Sequence, residues 1–204
     1  MVLYKTRFLV ISLGNPLPKY QSLHSAGHFV LNRLPEVLQQ PEFRAETLGN
    51  QTCLVSRGPN YTLVQSPTLM NVSGGFVARA WKEMVKPEKL SLQGLVVVHD
   101  ELERNLGTVH LTPWQRSHKG HNGIRSIKGS LSQDKYPTSP FVRIAVGIGR
   151  PSQRDSETVS QYVLDRISDE QRRILEEDTP SLVAEKLVEV ERLWKIELRK
   201  WHDS

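Results

Sequence analysis

The 204-residue chain has one cysteine, Cys53, so neither a disulfide framework nor a thiolate metal cage is available to it. Cys53 lies in the apolar run Cys53-Leu54-Val55 and is expected in the core, not as a nucleophile. No apolar run reaches the length needed to span a bilayer, which argues against a membrane partner. The stretch from Met1 to Arg7 is too short to be a signal or transit peptide ahead of the first strand. The sequons at Asn50, Asn60 and Asn71 therefore carry no glycan message, and a reducing compartment, cytoplasmic or mitochondrial, is expected.

Several chemical signatures are missing as well. Lys128-Gly129-Ser130 reverses the order of a phosphate-binding P-loop, and Gly14-Asn15-Pro16 fails as a dinucleotide fingerprint. Asn71-Val-Ser-Gly-Gly75 comes near a nucleophile elbow, but Asn stands where the first Gly is needed, which disfavours a serine nucleophile. His118-Lys-Gly-His121 has a metal-like spacing without an evident third ligand, so no metal and no cofactor are expected. Glu101 and Glu103 beside Asp100 could imitate a glycosidase pair, but strand alternation turns Glu101 away.

What is present is a soluble composition with a basic balance. Twenty-seven Lys and Arg against 22 Asp and Glu give a net charge of +5, which suits either ordinary solubility or a polyanionic partner. The length fits one domain over residues 1–204, with no repeat and no linker dividing it.

Phe8 to Leu13 and Leu95 to His99 are continuous apolar runs and read as buried central strands. Ala26, Phe29, Val30 and Leu34 share one helical face, with Pro35 ending or kinking that helix. Thr52–Ser56 and Tyr61–Gln65 flank Gly58-Pro59-Asn60 as a hairpin. Val77, Ala80, Trp81 and Met84 mark a second amphipathic helix, and Ile124, Ile127 and Leu131 mark a third, starting near His121. Short strands are expected at Thr108–Leu111 and Val142–Ile148. Ser168-Asp-Glu-Gln171 is a capping box, and a long helix should follow through Leu182, Leu187, Val190, Leu193 and Trp194. The expected class is α/β: a single domain with a mixed twisted β-sheet flanked by α-helices.

Four polar clusters fall at the ends of these strands or the starts of these helices, where ligand chemistry collects in α/β proteins. They are Gly14-Asn15-Pro16 with His24, Leu69-Met-Asn71, His99-Asp100-Glu101 and Gly120-His-Asn122-Gly123. Together they supply one candidate base, one carboxylate and three amides, an inventory for a hydrolase that activates water directly. His24 alone also fits a surface histidine near a helix start, Asp100 a turn or cap residue, and Asn71 an N-cap. His99 should point away from the ligand that Asp100 serves. The helix start at Gly120–Gly123 suits an anion, and Arg125 and Lys128 on that helix would reinforce it.

In order along the chain stand Gly-Asn-Pro16, Tyr20-x3-His24-x2-Gly27, Met70-Asn-x-Ser-Gly74, His99-Asp-Glu-Leu102, Gly120-His-Asn-Gly123 and Arg143-Ile-Ala-Val-Gly-Ile-Gly149 followed by Pro151. With these six motifs the chain resembles the bacterial-type peptidyl-tRNA hydrolases, a family that eukaryotes also carry, over nearly its whole length. The resemblance implies hydrolysis of the ester between a peptide and tRNA, recycling the tRNA, with peptidyl-tRNA as partner and no covalent intermediate. It implies that His24 is the general base and that Asp100 orients it. Asn15 and Asn71 would hold the substrate beside the ester, Asn122 would position water or substrate, Tyr20 would line the cleft for the terminal nucleotides, and Leu69 is expected among the substrate-binding residues. Lys119, Arg125 and Lys128 are expected on the tRNA backbone, and a monomer is expected. The alternative is a non-catalytic RNA-binding protein of the splicing-factor kind on the same scaffold. Three positions depart from the family pattern: one residue fewer precedes His24, Leu69 replaces an aromatic, and Lys119 replaces a Gly.

Overall fold

Every residue from Phe8 to Leu13 is buried, and their side chains alternate between two separate apolar layers. Phe8 and Val10 enter one layer, Leu9 and Ile11 the other. A strand hydrophobic on both faces must be central and covered on both sides. The structure, a computed structural model describing residues 5–202, places it there.

Among the described residues seven strands form one mixed sheet: β1 (Arg7–Ser12), β2 (Arg44–Leu48), β3 (Gln51–Arg57), β4 (Tyr61–Gln65), β5 (Gln93–Glu101), β6 (Val109–Pro113) and β7 (Phe141–Gly147). Their spatial order is β2-β3-β4-β1-β5-β7-β6. The inner pairs β4–β1, β1–β5 and β5–β7 are parallel, and the outer pairs are antiparallel. The expected hairpin is the β3–β4 pair. β2 carries a mostly exposed pattern, as an edge strand does.

Among the described residues six α-helices complete the α/β domain: α1 (Ala26–Val37), α2 (Ser73–Met84), α3 (Asn122–Ser130), α4 (Ser156–Leu164), α5 (Asp169–Arg173) and α6 (Thr179–His202). Helices α1 and α6 contribute to the layer under Val10, Val96 and Val98, whereas α2 and α3 cover Ile11, Leu95 and Val97. Helix α1 continues three residues past Leu34 with Pro35 inside it, and the left-handed Gln39 (φ 52°) ends the turn after it. The Ser168 capping box is present, and a π-helical stretch, Ile174–Asp178, leads from α5 into α6. On α6 the apolar face is narrower than the sequence spacing predicts. Leu187 and Val190 are buried, but Leu182 and Leu193 are exposed, and Val183 and Leu198 take their places.

Among the described residues no helix is long and apolar enough to cross a membrane. Since β1, β5 and β7 run parallel, their carboxyl ends open on one side of the sheet. Three of the four polar clusters meet there, joined by the loop that starts α3.

Candidate active site

Strand β5 stays buried through Asp100, which is 3% exposed at its carboxyl end. His24 sits in a single 3-10 turn, Leu23–Ser25, that feeds directly into α1. Buried Leu23 and Ser25 hold that turn against the protein body, and the Ser25 hydroxyl accepts the Asn15 backbone N–H at 3.1 Å. The His24 Nδ1–H consequently donates to both Asp100 oxygens, at 2.9 and 3.0 Å.

A third side chain completes the group. His121 caps the N-terminus of α3: its Nδ1 accepts the Ile124 N–H at 3.3 Å, and its Nε2–H donates to Asp100 Oδ1 at 3.0 Å. Burial works against the Asp100 charge, yet the two imidazoles outweigh it and hold the carboxyl far below its usual range. Burial pulls the His24 imidazole down, but the charge and hydrogen bond of Asp100 together raise it above its ordinary value. His24, Asp100 and His121 bring potential ligand atoms within 4.8 Å of one another. A metal there would have to displace the protons of both donor nitrogens and break the Ile124 cap, so the donor set fits hydrogen bonding better than coordination.

These residues line a cavity of about 730 Å³. Asn15, Leu69, Asn71, Asn122 and Lys119 also line it, as the sequence leads one to expect. Asn15 is buried, and its Oδ1 accepts the Met70 N–H at 3.0 Å. Asn71 and Leu69 are exposed at the rim, and the Asn122 Oδ1 accepts from Arg125 at 2.6 Å. Lys119 takes up a left-handed backbone (φ 47°), costly for a side chain with a Cβ, and its ammonium lies 4.0 Å from Glu101.

Three expected positions differ. Tyr20 does not line the cavity: its ring packs on His28 and Phe29, and its hydroxyl accepts from Asn32 at 2.9 Å. Its contacts with α1 turn it away from the cavity despite its nearness to His24 in sequence. Lys128 is also set apart, because its ammonium donates to the carbonyls of Gln115 and Arg116 at 3.3 and 2.7 Å and so braces the loop before α3. Arg125 is exposed beside Asn122 and outside the cavity lining. His99 does face the other side of β5 from Asp100, as alternation requires, but at the strand end its ring still borders the cavity, 4.9 Å from His121.

The sequence reading gave the His121 side chain no role in the site, naming it only within the Gly120–Gly123 motif, at the start of a helix and for its spacing from His118. It also missed a basic rim of Lys19, Arg104, Arg116, Arg150 and Arg154. The signal for His121 lay in the helix start itself, where a residue before Asn122 with a lone pair could cap α3. Buried Arg143 donates to the carbonyls of Pro113, Arg116 and Ser117, shaping the loop that carries part of this rim. Cys53 is in the core, its thiol pushed up to about 11 by burial.

A carboxylate-backed imidazole, three amides and a basic mouth form an arrangement suited to activating water against an anionic substrate. The profile of the peptidyl-tRNA hydrolase family matches residues 9–198. The peptidyl-tRNA hydrolase of Geotalea uraniireducens is 37% identical over 164 residues, covering 80% of this chain and 79% of that protein. The probable peptidyl-tRNA hydrolase of Schizosaccharomyces pombe is 35% identical over 172 residues, covering 83% and 76%. The crystal structure of peptidyl-tRNA hydrolase from Acinetobacter baumannii superposes with a TM-score of 0.67 at 25% identity, covering 98% of this chain and 94% of that one. The chain belongs to the peptidyl-tRNA hydrolase family.

Proposed function

We propose that the chain hydrolyses the ester joining a peptide to the terminal ribose of tRNA, with His24 as general base. The observation that carries this reading is the His24–Asp100 bond. It fixes the proton on Nδ1 and leaves Nε2 as the basic nitrogen of a ring that lines the cavity. Water loses a proton to Nε2 as its oxygen attacks the ester carbonyl, and Asp100 balances the charge gained by the ring. The tetrahedral intermediate collapses as His24 returns its proton to the leaving ribose oxygen, and the peptide's new carboxyl group gives up its remaining proton to solvent as the carboxylate leaves. An ester needs no covalent nucleophile for this, and general-base catalysis accounts for about two to four powers of ten in rate. Oriented amides at Asn15, Asn71 and Asn122 supply substrate positioning and stabilisation of the developing oxyanion.

The basic rim, with Lys119, meets the tRNA backbone, and Arg125 lies close enough to extend that contact. The reaction needs no metal, and the protein acts as a monomer. An RNA-binding role without catalysis would give no reason for the buried, doubly hydrogen-bonded carboxylate behind His24. The test is turnover of N-acetyl-aminoacyl-tRNA with unblocked aminoacyl-tRNA alongside. The blocked substrate should be cleaved in the presence of EDTA and the unblocked one largely spared. Tight tRNA binding without turnover would favour the splicing-factor-like alternative.

A further inference from the structure

His24 and His121 flank Asp100 from two sides and look equivalent, with donor distances of 2.9 and 3.0 Å. They are not equivalent. The Ile124 N–H points at His121 Nδ1, and a ring nitrogen can accept that bond only when it carries no proton. The His121 proton therefore sits on Nε2, where it is donated to Asp100 Oδ1. His24 holds the opposite tautomer, donating from Nδ1 and keeping Nε2 basic. His121 has both nitrogens committed and no lone pair left for water, so only one of the two imidazoles can act as a base.

We infer that His121 is a positioning residue: the start of α3 locks its tautomer, and its Nε2–H pins the Asp100 carboxylate in the orientation that serves His24. This rests on His24 being the base. Asp100 is buried and would otherwise have His24 alone to fix its rotation. With two donors, one oxygen is shared between both rings and the carboxylate plane is defined.

Other titratable groups surround His121. From β5 it faces Asp100 and His99, whose Nδ1–H is donated to the Asp100 carbonyl at 2.7 Å and whose imidazole burial holds down to about 3. From the turn before α1 it faces His24, at 5.2 Å between ring centres. Arg143 of β7 and His118 and Lys119 of its own loop border the same cavity.

Long-range proton–nitrogen NMR of the histidine rings reads the tautomers directly. His121 should appear as the Nε2–H form and His24 as the Nδ1–H form, whether or not the protein turns over substrate. A Nδ1–H form at His121 would overturn the inference, whereas absent turnover with these tautomers in place would count against the proposed function alone.

Two variants then divide the cap from the Asp100 contact. His121→Asn keeps an acceptor near the place of Nδ1 but loses the donor to Asp100. His121→Gln keeps a donor near the place of Nε2 and loses the cap. Without the second donor more of the Asp100 charge falls to protonated His24, which then keeps its proton to higher pH. His121→Asn should lower kcat about tenfold, leave KM within about twofold, and move the acid limb of kcat/KM upward by about half a pH unit. His121→Gln should keep the wild-type limb and most of kcat, even with a lower melting temperature. A wild-type kcat and pH limb in His121→Asn would reduce His121 to a helix cap, and equal defects in both variants would overturn the separate role given to its Asp100 contact.

Discussion

Asn15, just past the end of β1, accepts the Met70 N–H through its side-chain oxygen at 3.0 Å, joining the loops after β1 and β4 into one wall of the cavity. The contact is buried, so its loss strands a main-chain donor away from water. Asn15→Ala should lower stability in urea by about 1–3 kcal/mol. It should also raise KM for blocked aminoacyl-tRNA, because Leu69 and Asn71 flank the released amide. Unchanged stability and KM would mean that the wall is held some other way.

The base and its partner make opposite predictions on pH. Free His24 is the working form, and Asp100 raises its imidazole above the ordinary 6.5, so wild-type kcat/KM should fall as pH drops through a value above 6.5. Asp100→Asn removes the anion and leaves burial to dominate. Its acid limb should move to lower pH while its plateau rate falls about ten- to a hundredfold. His24→Ala should lose two to about four powers of ten with tRNA affinity nearly intact. A limb that moves upward in Asp100→Asn would contradict the assigned roles.

Much of this pair is legible in the chain alone. Four valine and leucine positions before His99 announce a buried strand, and a carboxylate straight after it has few other purposes. The His24 turn is legible for the same reason, standing between an apolar strand and an amphipathic helix. β2 escaped because Arg44–Leu48 buries only Leu48, so no alternation marks it. α4 escaped because Val163 is its one buried residue. Tyr20 and Lys128 were misplaced for a different reason: sequence shows that a phenol or an ammonium is near the site, not that Asn32 or two carbonyls have already claimed it.

Buried histidines set the acid stability. His28 bonds Ser12 at 2.7 Å, and burial pulls its imidazole down to about 4, with His99 at about 3. Both are depressed in the folded state, so their stabilising contribution is complete above 6.5 and is lost progressively as pH falls toward 4 and 3. Asp100, held low, contributes fully above 3.8 and loses its share only below that. Resistance to urea should therefore decline from about pH 6.5 to about 4. His28→Leu should be less stable at neutral pH, since the Ser12 hydroxyl loses its partner, yet show a shallower decline. An equally steep decline in that variant would place the proton uptake elsewhere.

Salt dependence should follow the rim and not the α3 ammonium. Arg116→Ala with Arg154→Ala should reduce the slope of log affinity against log salt by about 0.7–0.9 for each phosphate no longer neutralised. Lys128→Ala should leave that slope alone while loosening the loop whose carbonyls it holds. The reverse pattern would put the tRNA on the far side of α3.

Gly74 brings α2 tightly against α3: a Cβ there would lie 2.1 Å from the Ser126 carbonyl oxygen. Gly74→Ala should force the two helices apart and lower stability by about 1–3 kcal/mol, read as a fall in Tm. A variant as stable as the wild type would show that the helices can slide.

His24 hangs from the 3-10 turn that leads into α1 and Asp100 from a strand buried between two layers, with Leu23 and Ser25 sealed on either side of the base. Both supports are packed into the protein body. Warming cannot disable the site piecemeal, so turnover and near-ultraviolet dichroism should vanish together, and an activity assay on this protein doubles as a thermometer for its fold.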